Sequence, residues 1–96
     1  MISQEEIRRK VSSDPRWAIR ALLAIYARQE ADEQATGRTV YRNGVGFNAR
    51  DAEILTSIAE RVLAGQLVSQ KQMNVVLRAM PKYSSQLAEI AEERGA

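Results

Sequence analysis

The chain contains no cysteine and no histidine. The absence of cysteine excludes disulfides, thiol nucleophiles and cysteine-ligated zinc or iron–sulfur sites. The absence of histidine removes the commonest general base near neutral pH and the commonest ligand of transition metals. Catalysis would have to rest on carboxylates, lysine, tyrosine or arginine. We therefore expect a protein that is not an enzyme and that has no catalytic residues, no cofactor and no bound metal.

Long hydrophobic runs are also absent, because no apolar stretch approaches the roughly 20 residues of a membrane span. The chain begins MISQEE, which is polar and acidic and unlike a secretory signal. We therefore expect a cytoplasmic protein that does not enter the membrane. Its 96 residues, of which 45% are hydrophobic, suffice for one modest core, so residues 1–96 are predicted to form a single domain.

Charges of opposite sign are segregated along the chain. The net charge of +2 is too small to indicate a nucleic-acid partner by itself. Residues 61–88, however, contain no carboxylate, and their cations are Arg61, Lys71, Arg78 and Lys82. The acidic residues gather at Glu30, Asp32, Glu33, Glu89, Glu92 and Glu93. Such segregation creates a surface field that the average charge conceals.

Capping signals and apolar spacing predict helices along most of the chain. Ser3 with Glu6 forms a capping box that opens a first helix over residues 4–11. Asp14 and Pro15 open a second helix over residues 15–36, with an N-cap side chain and a proline at the first helical position. The broad apolar side of this second helix indicates a position at the centre of a bundle.

Further helices are predicted in the second half of the chain. Asn48 caps a third helix that runs to residue 64, with a buried side made of Ala52, Leu55, Ile58, Ala59, Val62 and Leu63. Ser69 with Gln72 forms another capping box and opens the fourth helix, which Pro81 must end or kink. A final apolar stripe after Pro81 predicts the last helix.

Residues 38–50 interrupt this helical pattern. Asn43-Gly44 favours the two positive φ angles of a type I′ turn, and the residues on both sides are β-branched or aromatic. A short β-hairpin at about residues 39–47 is therefore predicted between the second and third helices. The segment carries Arg38, Arg42 and Arg50 and no carboxylate. The predicted fold class is all-α, a compact bundle of about five helices with this one hairpin.

Several motifs together resemble a known module. They are RALLAIYARQEADEQ at residues 20–34, NGVGFN and DAEIL within residues 43–55, SQKQ at residues 69–72 and KYSSQL at residues 82–87. The pattern is similar to a small uncharacterised module of bacteriophage and mobile-element proteins, which occurs alone or joined to helicase-like and other DNA-processing proteins. Gln70 stands where the module would have proline, a difference that concerns helix capping. The resemblance implies a phage or mobile-DNA context and a connection with nucleic-acid processing, without assigning an activity.

Basic residues of the fourth helix form the first candidate site. Lys71, Arg78 and Lys82 are spaced i, i+7 and i+11, which places them within about 60° of one another on a helical wheel. Asn74 lies beside them. Such a row fits contacts to a phosphate backbone, with Tyr83 stacking on a base if its ring is exposed. The alternative is an ordinary solvated helix face with Tyr83 buried.

Arginines outside the fourth helix form the second candidate site. Those of the predicted hairpin, Arg38, Arg42 and Arg50, are predicted to contact phosphates. Alternatively, the glycines of this segment serve turn geometry alone. The arginines of the second helix, Arg16, Arg20 and Arg28, either extend a basic surface or pair with the acidic residues near the end of the chain.

The leading prediction is a small non-enzymatic phage or mobile-element protein that binds nucleic acid, DNA or RNA, through phosphate contacts from the basic helix face and the hairpin. The alternative is a phage-encoded protein–protein inhibitor or adaptor that acts on a host enzyme or defence complex. A magnesium-dependent nuclease is the least favoured interpretation, because no motif fixes the arrangement of its candidate carboxylates, Glu30, Glu33, Asp51 and Glu53. Homodimer formation stays open.

Overall fold

The described part of the chain is almost entirely helical. In a computed structural model of the protein, residues 3–36 and 46–93 are described, without the side chains of residues 33–36. The helices are α1 (Gln4–Ser13), α2 (Pro15–Thr36), α3 (Ala52–Leu63), α4 (Gln70–Ala79) and α5 (Ser84–Glu93), with a 3₁₀ turn (Met80–Tyr83) between α4 and α5. This arrangement confirms the predicted helical bundle. None of the described helices is long and apolar enough to cross a membrane.

Capping side chains stand at the predicted beginnings of α1 and α4, whereas Asn48 stands one turn before α3, whose N-cap residue is Asp51. The Ser3 hydroxyl accepts a hydrogen bond at 3.1 Å from the Glu6 N–H, but the return bond from the Glu6 side chain, which the predicted capping box requires, is absent among the described residues. Ser69 and Gln72 complete a reciprocal capping box, with distances of 3.1 and 3.0 Å. Asn48 Oδ1 accepts from the Asp51 N–H at 2.9 Å, one turn before α3 begins. These side chains satisfy backbone donors that have no partner inside a helix.

α1 extends two residues beyond its predicted end at residue 11, to Ser13. The hydroxyl groups of Ser12 and Ser13 donate to the Arg9 carbonyl at 2.9 and 2.8 Å. Serines in a last turn bond back to the preceding carbonyls in this way without leaving the helix. The serine pair therefore continues α1 beyond the predicted range.

α2 lies at the centre of the bundle, as its broad apolar side predicts, and packs against α1, α3, α4 and α5. The fully buried apolar side chains of the core are Ala18, Leu22, Ile25, Phe47, Leu55, Ala59, Val76 and Met80. The predicted buried side of α3 is wrong at Leu63, which is 61% exposed. α3 ends at this residue, and residues 64–67 that follow are exposed as well.

The predicted β-hairpin is wrong for the residues that the structure describes, which contain no strand. Gly46 and Phe47, at the end of that predicted element, form a bend. Their backbone groups pair with glutamine side chains instead of a neighbouring strand. The Gly46 N–H donates to Gln86 Oε1 at 2.9 Å, and the Phe47 N–H donates to Gln29 Oε1 at 3.1 Å. The earlier part of the predicted hairpin, residues 39–45, lies outside the described residues.

Pro81 stops α4, as predicted. The helix ends at Ala79, and the chain passes through the 3₁₀ turn before it resumes as α5. A 3₁₀ helix has about three residues per turn instead of 3.6. Residues of the 3₁₀ turn therefore do not follow the α-helical spacing on which the predicted row of Lys71, Arg78 and Lys82 depends.

Candidate functional site

The outward side of α4 carries the candidate residues that stay together in the structure. We call it the α4 face, and its exposed members are Gln70, Lys71, Asn74 and Arg78. The opposite side of the helix buries Val76 in the core. Lys71 and Arg78 form no ion pair or hydrogen bond with any described residue. Beside these two cations, Gln70 Nε2 donates to Asn74 Oδ1 at 3.0 Å.

Lys82 does not belong to the α4 face. It lies in the 3₁₀ turn, and its Nζ is 2.8 Å from Asp51 Oδ2. The same carboxylate oxygen accepts a hydrogen bond from the Tyr83 hydroxyl at 2.7 Å. Burial alone would raise the pKa of Asp51, but the hydrogen bonds from Lys82 and Tyr83 hold that pKa below its ordinary value. The charge of Lys82 is thus compensated within the fold, whereas no described carboxylate compensates those of Lys71 and Arg78.

Tyr83 is buried, which removes the predicted stacking platform. Its ring meets the ring of Phe47 edge to face, with centroids 5.9 Å apart. Its hydroxyl accepts from the Asn48 N–H at 3.2 Å while it donates to Asp51. Burial raises the pKa of this hydroxyl above its ordinary value. Tyr83 therefore joins the 3₁₀ turn to the start of α3 and presents no ring surface to a ligand.

The arginines predicted on the hairpin are only partly described. Arg50 is exposed in the turn before α3, and its charge helps to lower the pKa of Asp51. It makes no hydrogen bond or ion pair with the described part of the chain. Arg38 and Arg42 lie outside the described residues.

The beginning of α2 places two more cations near α4. Arg16 and Arg20 are exposed, and both line a shallow cleft that Met73 of α4 also lines. Neither arginine forms an ion pair within the described residues. The carboxylate in this cleft, that of Asp14, accepts a hydrogen bond from the Arg16 N–H at 3.0 Å and caps α2. The α2 arginines therefore extend the positive charge beside α4, one of the two roles predicted for them.

Arg28 has the other role predicted for the α2 arginines, which is to pair with an acidic residue near the end of the chain. Its Nη2 lies 2.8 Å from Glu89 Oε2, and its Nη1 donates to the Gln86 carbonyl at 3.3 Å. These bonds join the middle of α2 to α5. Arg28 is therefore part of the scaffold, and its charge is already balanced.

Three of the acidic residues lie on a different surface, the groove between α2 and α3. Glu30, Glu53 and Glu60 line this groove. The Tyr26 hydroxyl donates to Glu60 Oε2 at 3.3 Å. Desolvation, together with the charges of Glu30 and Glu60, raises the pKa of Tyr26 to about 12. No group of carboxylates among the described side chains has the arrangement of a metal site, and Asp51 is occupied by Lys82 and Tyr83.

A pair of buried glutamines, which we call the glutamine clasp, holds the chain before α3. Gln86 Nε2 donates to the Gly46 carbonyl at 2.9 Å, in addition to the bond that its Oε1 accepts. Gln29 Nε2 donates to Thr56 Oγ1 at 3.4 Å. The signal for the clasp is present in the sequence: Gln29 stands four residues after Ile25 on a buried apolar stripe, and a polar side chain in such a place needs a hydrogen-bond partner. The sequence does not predict which group is the hydrogen-bond partner of Gln29.

Comparisons with protein-family models, with curated proteins and with solved structures find no match to this chain. The resemblance to a phage and mobile-element module therefore stays a prediction. The α4 face offers positive charge and side-chain amides, which are groups that contact phosphate oxygens and base edges in protein–DNA complexes.

Proposed function

We propose that this protein is a small non-enzymatic nucleic-acid-binding protein of phage or mobile-element origin, which contacts phosphates through the α4 face. The supporting observation is that Lys71 and Arg78 are exposed on one side of α4 and are paired with no described carboxylate. A cation that is already paired gains little from a phosphate, because it must first give up its partner. Lys71 and Arg78 have no such cost with respect to the part of the chain that the structure describes.

The neighbouring arginines of α2 widen the proposed contact. Arg16 and Arg20 stand beside α4 and are likewise unpaired among the described residues. Arg38, Arg42 and Arg50 remain proposed contributors from the segment before α3. Lys82 contributes least in this proposal, since Asp51 compensates its charge. The small net charge of +2 implies modest affinity, and binding should weaken as salt rises, with a slope that grows with the number of phosphate contacts.

Titration of labelled DNA and RNA with the purified protein at several salt concentrations tests the proposal. Lys71→Gln with Arg78→Gln should weaken binding and reduce the slope of log K against log salt by about 2, because each phosphate contact contributes about 0.9 on duplex DNA. Arg9→Glu is the matched control. It changes the net charge by the same amount, and Arg9 is exposed on α1 in a different surface depression.

The two outcomes separate clearly. The α1 control should keep the wild-type slope, while the slope of the α4 variant should be smaller by about 2. Absence of binding to any nucleic acid at low salt would overturn the proposal. Equal losses in both variants would assign the effect to net charge and not to the α4 face.

A second candidate function, a phage-encoded inhibitor or adaptor for a host protein, is favoured by exposed apolar side chains. Leu63 and Leu67 are 61% and 88% exposed at and after the end of α3. The Arg61 guanidinium donates to the Leu67 carbonyl at 2.6 Å and holds this loop in place. Large apolar side chains that are held in water commonly mark a protein-binding surface.

This second candidate predicts a partner whose binding fails with Leu63→Ser and Leu67→Ser. The same binding should survive Lys71→Gln with Arg78→Gln and depend weakly on salt. The two functions therefore respond to different variants and to different salt conditions.

A further inference from the structure

The α4 face contains a pair of amides as well as its cations. The bond from Gln70 Nε2 to Asn74 Oδ1 uses one donor and one acceptor of the pair. Gln70 Oε1 and Asn74 Nδ2 have no hydrogen bond within the described part of the chain. The pair thus presents an acceptor and a donor side by side, and each side chain restrains the other. Asn and Gln amides are the side chains that form paired hydrogen bonds with N6 and N7 of adenine in the major groove.

The amide pair lies between two groups of cations around α4. Met73 faces the cleft that contains Arg16 and Arg20. At 3.6 residues per turn, Gln70 and Asn74 lie about 60° and 100° round the helix from Met73. Continuing in the same direction, Arg78 and Lys71 follow at about 140° and 160°. A helix that lies in a nucleic-acid groove has this order: amides toward the bases and cations toward the phosphates on either wall.

Aromatic residues give no support to a single-stranded ligand on this face. Nonspecific binding of single strands relies on aromatic rings on which bases stack. Among the described aromatic residues, Phe47 and Tyr83 are buried. Tyr26 donates to Glu60 at the acidic groove. Trp17 lines the cleft that contains Arg16 and Arg20, but it is half-buried and Lys10 Nζ already lies over its ring, 4.9 Å from the centroid.

We propose that α4 enters the major groove of duplex DNA, where Gln70 and Asn74 contact an adenine edge and Lys71 and Arg78 contact phosphates of one strand. This inference rests on the proposed nucleic-acid binding and names its ligand. The major groove of B-DNA is about 12 Å wide and admits a helix, and Lys71 and Arg78 stand about 10 Å apart along the helix axis. The major groove of A-form RNA is too deep and narrow for side chains to read.

The test compares three labelled ligands of one sequence: duplex DNA, single-stranded DNA and duplex RNA. Duplex DNA should bind at least about tenfold more tightly than the other two. Selection from randomised duplexes should then recover a site with an A·T pair at a fixed position. Tight binding to the single strand or to duplex RNA would overturn the inference, while it would leave the proposed function standing.

The variant Gln70→Ala with Asn74→Ala isolates the amide pair. It should reduce discrimination between the selected duplex and one with G·C at the fixed position by about tenfold, with the salt slope unchanged. The matched control, Ser57→Ala with Ser85→Ala, removes two exposed polar groups from α3 and α5. The variant keeps the capping box of Ser69 with Gln72, so we expect it to fold. Circular dichroism checks that it does.

Three results of these experiments test the major-groove inference. Loss of discrimination in the α4 variant alone supports base contact by the pair. Unchanged discrimination overturns the inference and leaves only phosphate contacts. Absence of binding to all three ligands overturns the inference and the proposed function together.

Discussion

Gln86 binds both polar backbone groups of Gly46. Its Oε1 lies 2.9 Å from the Gly46 nitrogen, and its Nε2 lies 2.9 Å from the Gly46 carbonyl oxygen. A residue in an antiparallel strand exchanges the same two hydrogen bonds with the residue opposite. In this chain one side-chain amide from α5 replaces that partner, and the bend before α3 needs no strand beside it.

Loss of the Gln86 amide should destabilise the fold. Gln86→Ala leaves the buried N–H and carbonyl of Gly46 without partners, which we expect to lower the free energy of unfolding by about 3 kcal/mol. Urea unfolding followed by circular dichroism measures the change. Ser85→Ala, at the exposed neighbouring position, should alter the free energy of unfolding by less than about 0.5 kcal/mol. Similar values for the two variants would contradict the role of the clasp.

Two glycines with the same backbone conformation should differ in their tolerance of alanine. Gly46 and Gly65 have φ angles of 77° and 79°. A Cβ at Gly46 would lie 2.6 Å from Gln29 Cβ, whereas a Cβ at Gly65 would meet no atom within 4 Å. Gly65→Ala should cost about 1 kcal/mol from the left-handed conformation alone. Gly46→Ala should cost about 3 kcal/mol, because the clasp must also move. Equal thermal shifts for the two variants would argue against the close packing at Gly46.

Asp51 should make stability depend on acid pH. Its pKa is lower in the folded protein than its ordinary value of 3.8. The carboxylate therefore contributes its full stabilisation above pH 3.8, and the contribution is lost as the pH falls through the folded pKa. Asp51→Asn should lower the free energy of unfolding at pH 7 by about 2 kcal/mol. The same variant should flatten the pH dependence below pH 3.8 in urea unfolding. An unchanged acid profile would show that other carboxylates control it.

Replacement of Arg28 and of Arg78 by alanine should affect the free energy of unfolding differently, because only Arg28 forms bonds within the described part of the fold. Arg28→Ala removes the bonds to Glu89 and to the Gln86 carbonyl, and we expect it to cost about 1 kcal/mol, since Glu89 is half-exposed. Arg78→Ala removes no bond to the described part of the chain and should change stability by less than about 0.5 kcal/mol. Thermal unfolding of the two variants at equal salt provides the comparison. A large loss for Arg78→Ala would place it in the scaffold and weaken the proposed function.

The sequence predicts the local elements of this fold better than their long-range partners. The capping box of Ser69 with Gln72 and the end of α4 before Pro81 depend on residues a few positions apart, and both are confirmed. The wrong prediction of a hairpin strand at Gly46 arises because its hydrogen-bond partner is distant in the sequence. Turn chemistry near Asn43 predicts a hairpin, but the partner of Gly46 stands 40 positions away on α5.

In the candidate site, too, the sequence predicts local features better than long-range contacts. Lys71, Asn74 and Arg78 share one continuous helix, so their common exposed side follows from spacing alone. Lys82 lies beyond a change of helix type, and its ion pair with Asp51 joins distant parts of the chain. Spacing on a helical wheel carries no information about either feature. The α2 arginines reach the same region through the packing of α2 against α4.

The separation of charge between surfaces affects how the molecule approaches a partner. Three carboxylates line the groove between α2 and α3, while cations without a described partner stand on α4 and at the start of α2. A molecule with this distribution has an electric dipole moment despite a net charge of only +2. In the field of a polyanion it experiences a torque that turns its positive side forward before contact. Diffusional encounters therefore begin already oriented, and their rate falls as ions shorten the range of the field.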